Sequence, residues 1–306
     1  MDAQVGEPVR AEGRPVSAQG STQRGARPDL AGFALVTVSA ASWGLWSLVL
    51  RPTHLPATVT TPILFLVMGL VTLPSALRAP PVTWDRTMVG LVIANAFFDG
   101  LNVAAVFAAY SYTTVAIASL THYLAPVLVA VAAPWIDRVA TPGARPAALV
   151  ALAGLMVMLE PWRAPADGAV LGASLGVVSA VLYAGNVFTV RRTAARIGAT
   201  RALSYRALIV GVAMTPLMAG HLGEITLPRL ALMVAGAVTL GAISGVAFSL
   251  GLLRIGSART AVLTFIEPVV AVSVSAVVWR EPLHPIAALG GALVLGAGIQ
   301  VARKAR

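Results

Sequence analysis

The sequence has no cysteine, one lysine among its 22 basic residues, and only 34 formally charged residues in a length of 306. Without cysteine there are no disulfides, no thiolate metal sites and no cysteine nucleophile. The shortage of charge excludes more. Charged residues make up 11% of the chain, against about 25% in soluble domains, so an ordinary water-soluble fold of this size is ruled out. Aromatic residues are also scarce, at 6%, and the bases are scattered singly, so the net charge of +10 forms no basic patch with interleaved aromatics to bind nucleic acid. The four histidines (54, 122, 221 and 284) are dispersed, no His-x-x-x-His pair occurs, and neither a serine triad nor a phosphate loop is present. No cofactor and no metal are expected.

What the chain does have is long apolar runs. A bilayer core of about 30 Å needs roughly 20 apolar helical residues to cross it. Stretches free of Asp, Glu, Lys and Arg run over 30–50, 52–77, 146–159, 168–190, 207–223, 230–253 and 282–302. Residues 87–136 carry only Asp99 and divide into two spans at the polar cluster Tyr110 to Thr114, and 260–279 carry only Glu267. Ten spans result, joined by connections too short to hold a soluble catalytic domain. The reading is an all-α integral membrane protein. Glycines such as Gly290, Gly291, Gly296 and Gly298 fall inside spans, where small residues mean close helix packing.

Residues 1–28 are rich in Gly, Pro, Ser, Gln and Arg without an apolar core, and are expected to be a disordered cytoplasmic tail and not a signal peptide. With ten spans both termini share one side. Eighteen of the bases then fall on the side of the termini, among them Arg191, Arg192, Arg196, Arg201 and Arg206 in one loop. Four, Arg51, Arg163, Arg229 and Arg280, fall on the other. That asymmetry puts the termini in the cytoplasm. The dominance of arginine, with abundant alanine and glycine, suggests a GC-rich bacterial source and hence a multi-pass protein of the bacterial cytoplasmic membrane.

A shift of 142 residues lays the fourth span on the ninth and matches Pro126 with Pro268, Val127 with Val269, Arg138 with Arg280 and Gly154 with Gly296. The shift spans five helices, an odd number, so the second copy is inverted. The copies are expected at 29–160 and 168–303, with the boundary near 161–167. At this point the chain resembles the ten-helix transporters of the drug/metabolite transporter superfamily, specifically the EamA-type group. The resemblance is carried by Ser42-Trp43-Gly44-Leu45-Trp46 ending in Arg51, by Ala116 to Leu120 running to Ala125-Pro126, and by Ala258 to Ala261 running through Glu267-Pro268 to Trp279-Arg280-Glu281-Pro282. One departure is visible: Val139 stands where the second copy has Glu281, so the acid after the fourth helix is either missing or replaced by Asp137. The resemblance implies export of an amino acid or related metabolite, with proton drive one option.

Ionisable groups within a span cost about 2.5 to 3.5 kcal/mol and call for a partner or a function. Asp99, His122 and Glu267 all sit near mid-span. Helical spacing sets Asn95, Asp99 and Asn102 on one stripe, and Ser119, His122, Tyr123 and Pro126 on another. Thr260, Thr264 and Glu267 form a third, Ser179, Tyr183 and Asn186 a fourth, and Ser39, Trp43 and Trp46 a fifth. Such stripes either line a hydrated cavity or bond neighbouring helices, the latter worth about 0.6 kcal/mol each. Trp43 and Trp46 also suit anchoring at the membrane interface. Pro126 and Pro268 free the carbonyls of His122 and Thr264, for ligand binding or for a hinge.

The function expected is secondary transport of a small polar metabolite, such as an amino acid, by alternating access around Asp99 and Glu267. Efflux of hydrophobic cationic drugs is the alternative within the class. An intramembrane lipid-modifying enzyme using Asp99 and His122 as an acid/base pair is the rival from another class. The partners implied are a small-molecule substrate and the lipid bilayer, with a homodimer left open.

Overall fold

The computed structural model describes residues 29–163 and 169–304; the tail 1–28 and most of the boundary at 161–167 lie outside the described residues. Among the described residues the regular structure is helical. Nine of the described helices are long and apolar enough to cross a bilayer: α1 (Leu30–Thr53), α2 (Ala57–Arg78), α3 (Arg86–Tyr112), α4 (Val115–Ile136), α5 (Ala144–Arg163), α6 (Ala169–Ile197), α8 (Leu227–Ile255), α9 (Ser257–Val277) and α10 (Pro285–Arg303). Between α6 and α8 lies α7 (Ala199–Met214), extended by a 3₁₀ turn over Thr215–Met218. Lipid offers backbone groups no partners, so each apolar run bonds internally as a helix. Asp29, Asp85 and Thr114 cap the starts of α1, α3 and α4 by accepting from the N–H groups of Gly32, Met88 and Ile117. Single glycines, Gly198 (φ 86°) and Gly256 (φ 80°), make the one-residue links from α6 to α7 and from α8 to α9, in the left-handed region open to a residue without Cβ.

The seventh span is displaced from its sequence expectation. Charge-free windows begin after Arg206 by construction, yet the helix starts at Ala199 and carries two arginines. Arg201 is buried because its guanidinium caps the end of α2, donating from Nε to the Ala76 carbonyl at 3.1 Å and from Nη2 to those of Ala79 and Pro80 at 2.9 Å. Arg206 lies a turn deeper. Neither belongs to the loop.

From the second helix of each copy onward, the repeat holds its helix register to within one residue. Starts at residues 57 and 199, and at 115 and 257, differ by 142, and those at 86 and 227, and at 144 and 285, by one less. Contacts between the halves obey the same exchange: α3 packs on α6 as α8 packs on α1, α4 on α6 as α9 on α1, and α3 on α7 as α8 on α2. Three pairs map onto themselves, namely α2 with α7, α4 with α9 and α5 with α10. Two inverted five-helix repeats have this pattern. In the α5–α10 pair the backbones touch: a Cβ on Gly154 would stand 2.7 Å from the Gly290 carbonyl oxygen.

Candidate functional site

On the pseudo-symmetry axis, α4 and α9 are both interrupted, at Tyr123 and at Phe265, positions 142 apart. Pro126 and Pro268 follow in the first turn of each resumed segment, where a missing N–H leaves the carbonyls of His122 and Thr264 without their helical donors. The breaks face one another. The rings of Tyr123 and Phe265 stack with centroids 6.0 Å apart. Non-helical backbone at this depth is tolerated only where protein surrounds it or water reaches it.

A first polar group lies between α3, α4, α6 and α7. Ser179 donates to Asn102 Oδ1 at 2.7 Å, and His122 Nδ1 lies 2.8 Å from the same hydroxyl oxygen. A serine hydroxyl has one proton, so His122 is the donor in that contact, through Nδ1–H, and keeps Nε2 as an acceptor. The His122 ring meets Tyr123 and Tyr183 edge to face at 5.4 and 5.5 Å. Deeper in the same interface Asn186 donates to Asp99 Oδ1 at 2.8 Å, and Arg206 forms an ion pair with Oδ2 at 3.1 Å. Asp99 and Asn186 are buried, and Arg206 is nearly so. Asn95, one turn before Asp99, is buried with its Oδ1 unpartnered.

Arg206 is the residue that sequence reasoning missed. The signal was the lone acid itself: a mid-span aspartate calls for a cation, and the nearest arginine beyond a charge-free window was the place to look for it. With Arg206 in place Asp99 has an internal counter-ion.

Glu267 is in a different state. Among the described residues no cation lies within ion-pair distance of it, and it remains partly accessible although it stands mid-span in α9. It lies within electrostatic reach of Tyr110, Tyr123 and Tyr183, and Tyr183 is also within reach of Asp99. The two acids therefore flank one aromatic region from opposite halves, and among the described residues Asp99 has a counter-ion and Glu267 does not. Its backbone is tightly held, since a Cβ on Gly44 would fall 2.6 Å from the Glu267 carbonyl oxygen.

The remaining candidates divide. Tyr110 and Ser119 share a hydrogen bond of 3.3 Å. Thr264 returns its hydroxyl to the Ala261 carbonyl in its own helix at 2.7 Å, and Ser39 does the same with Leu35, so both are occupied locally. Thr260 is buried with its hydroxyl unpartnered. Trp43 packs on Phe248 at 4.9 Å, and Trp46 packs against the cluster of Val49, Val59, Ile63, Met218 and Met233. The acid/base pair of the enzyme reading is not formed: His122 is bonded to Ser179, and Asp99 to Asn186 and Arg206.

An inverted ten-helix bundle with broken helices at its centre defines a multi-pass membrane transporter. The EamA-like transporter family matches residues 170–301, the whole of α7 to α9 and nearly all of α6 and α10. An uncharacterized transporter of Archaeoglobus fulgidus is 30% identical over 279 residues, covering 89% of this chain and 96% of its own. A crystal structure that is 20% identical superposes with a TM-score of 0.74, over 89% of this chain and 96% of that one, a likeness of fold. The chain belongs to the EamA-like transporter family, within the drug/metabolite transporter superfamily, and these likenesses point to transport and not to an enzyme.

Proposed function

We propose that this protein is a secondary transporter that moves a small, polar, amine-bearing metabolite, such as an amino acid, out of the cell by alternating access, with Glu267 as the group that takes up the proton or the amine. The observation that carries this reading is the contrast between the two mid-span acids. Asp99 has Arg206, whereas Glu267 has no cation at ion-pair distance among the described residues and sits among tyrosines. An ionised carboxylate alone at that depth costs several kcal/mol, and either a proton or a cationic ligand removes the cost. Tyrosine faces suit an ammonium group, each contact being worth about 0.5 to 2 kcal/mol depending on desolvation. The inverted repeat supports alternating access, because exchanging the conformations of two like halves opens the other side. The excess of arginine on the face holding Arg138, Arg191, Arg254 and Arg303 supports a cytoplasmic position for that face and for both termini.

The test is flux into proteoliposomes from a panel of amino acids and amines, with and without an imposed proton gradient. The parent should accumulate at least one amine-bearing compound when the gradient is present, and Glu267→Gln should not. Accumulation by Glu267→Gln equal to the parent would overturn the assignment.

A further inference from the structure

Outside the centre, the two shortest ion pairs that tie one repeat to the other lie on opposite faces; the contacts of Arg254 with Asp29 and of His284 with Glu160 are looser, at 3.7 and 3.6 Å. Arg51, near the end of α1, meets Glu281, just beyond α9, with 2.6 Å between Nη1 and Oε1. Arg191, near the end of α6, meets Asp137, just beyond α4, at 2.8 Å. Exchange of the repeats turns α1 into α6 and α9 into α4, so each pair occupies the place of the other in the inverted copy. Local backbone agrees. Arg138 and Arg280, 142 residues apart, are both left-handed, with φ of 57° and 54°. The acid precedes that residue in the first repeat and follows it in the second. This settles the departure at Val139: Asp137 supplies the charge that Glu281 supplies in the other half.

Each pair has auxiliary contacts. The Arg51 guanidinium lies 5.3 Å from the Trp279 ring centroid, and Trp279 donates from Nε1 to Ser47 Oγ at 3.2 Å. Arg192, beside Arg191, donates to the Ile136 carbonyl at the end of α4 at 3.2 Å. Behind Asp137 and Arg191 is a crevice of about 70 Å³ that reaches Gly256, Ser257 and Ala258 at the start of α9, and the Ser257 hydroxyl there is buried without a partner. That volume is large enough to hold water.

We propose that Asp137–Arg191 and Arg51–Glu281 are paired latches between the repeats, and that their relative strength sets which face of the transporter is open. Alternating access demands that the contact closing one face weaken as the contact closing the other forms. Pairs with some solvent exposure suit this, because each is worth about 1 kcal/mol or less and is broken at little cost. In the present conformation both are made, but unequally. The Asp137 carboxylate is sheltered, at 7% exposed, while the side chains of Arg51 and Glu281 are 46% and 47% exposed.

This proposal rests on alternating access but is tested without any substrate. In this cysteine-free chain Ser257→Cys places a near-isosteric thiol in the crevice. Its rate of reaction with a soluble maleimide, measured on the detergent-purified protein, reports opening at the Asp137 face. Asp137→Asn should raise that rate about fivefold, Glu281→Gln should lower it by a similar factor from the far side of the molecule, and the charge swap Asp137→Arg with Arg191→Asp should restore the parental rate. Oxidative cross-linking of Arg51→Cys with Glu281→Cys should become faster in the Asp137→Asn background. If Glu281→Gln leaves labelling at position 257 unchanged and Asp137→Asn leaves the 51–281 cross-link unchanged, the pairs are independent surface contacts and the proposal falls. Should Asp137→Asn fail to give folded protein, Arg191→Gln takes its place with the same expected rise. Coupled labelling in a protein that moves no metabolite would sink the substrate assignment and leave the latches standing.

Discussion

The interface of α3 with α6 and α7 and its inverted image, α8 with α1 and α2, are built from opposite materials. The first is fastened by Asp99, Asn186 and Arg206. At the 142-residue shift these become Gly241, Gly44 and Leu64. Where α3 runs as a regular helix past Asp99, α8 passes through a π-helical stretch over Ala237–Ile243, with Gly241 close against Met68 of α2, while Gly44 of α1 packs on the Glu267 backbone of α9. One backbone plan thus supports a buried charge network on one side and bare close packing on the other. The difference separates the acids structurally: Asp99 is paired within its interface, and Glu267, packed against Gly44, has no counter-ion among the described residues.

The largest effect is expected from breaking the charged interface. Asp99→Ala strands the Arg206 cation and should cost about 3 to 5 kcal/mol, seen as loss of monodisperse protein and of the melting transition in detergent, whereas Asp99→Asn with Arg206→Gln should recover most of it. If the single and double variants melt alike, the pair does not fasten the interface. On the other side, Gly44→Ala drives a methyl to within 2.6 Å of the Glu267 carbonyl and should cost about 1 to 3 kcal/mol. Gly90→Ala in α3, with nothing within 4 Å of the added methyl, should instead be neutral or stabilise by up to about 1 kcal/mol. Equal melting temperatures for the two glycine variants would remove close packing from the comparison.

Smaller effects concern the breaks and the outer pair. Pro126→Ala and Pro268→Ala each offer the freed carbonyl a donor and should slow exchange a few-fold in single-turnover flux without loss of folded protein; unchanged rates in both would deny them a hinge role. The hydrogen bond from Arg51 holds the Glu281 carboxyl below its ordinary value of 4.5. A depressed carboxyl contributes its stabilisation above the ordinary value and loses it as pH falls through the lowered one, so the Arg51–Glu281 contact should persist somewhat below pH 4.5. Arg51→Ala should move the titration upward, as read by carbon NMR of a labelled Glu281.

Much of the fold was legible because span length and the odd repeat offset are both written in one dimension. The hairpin at Tyr110 to Thr114 and the mid-span proline pair, read from composition and spacing, fall where the helices turn or break. Span boundaries drawn by excluding charge failed at α7, since an arginine whose head is satisfied by Asp99 or by helix-end carbonyls no longer needs water. The stripes were legible as stripes, but their partners were not. Which hydroxyls turn back on their own helix, as at Thr264, depends on rotamers, and which acid owns a cation depends on packing between halves.

The central claim is that the two acids have different tasks, and proton-driven flux in proteoliposomes, compared between Glu267→Gln and the double variant Asp99→Asn with Arg206→Gln, tests it most directly. The account predicts that the double variant keeps most of the parental gradient-driven accumulation while Glu267→Gln loses it at equal protein density. Parental accumulation by Glu267→Gln together with loss in a folded double variant would contradict it and return the coupling role to Asp99.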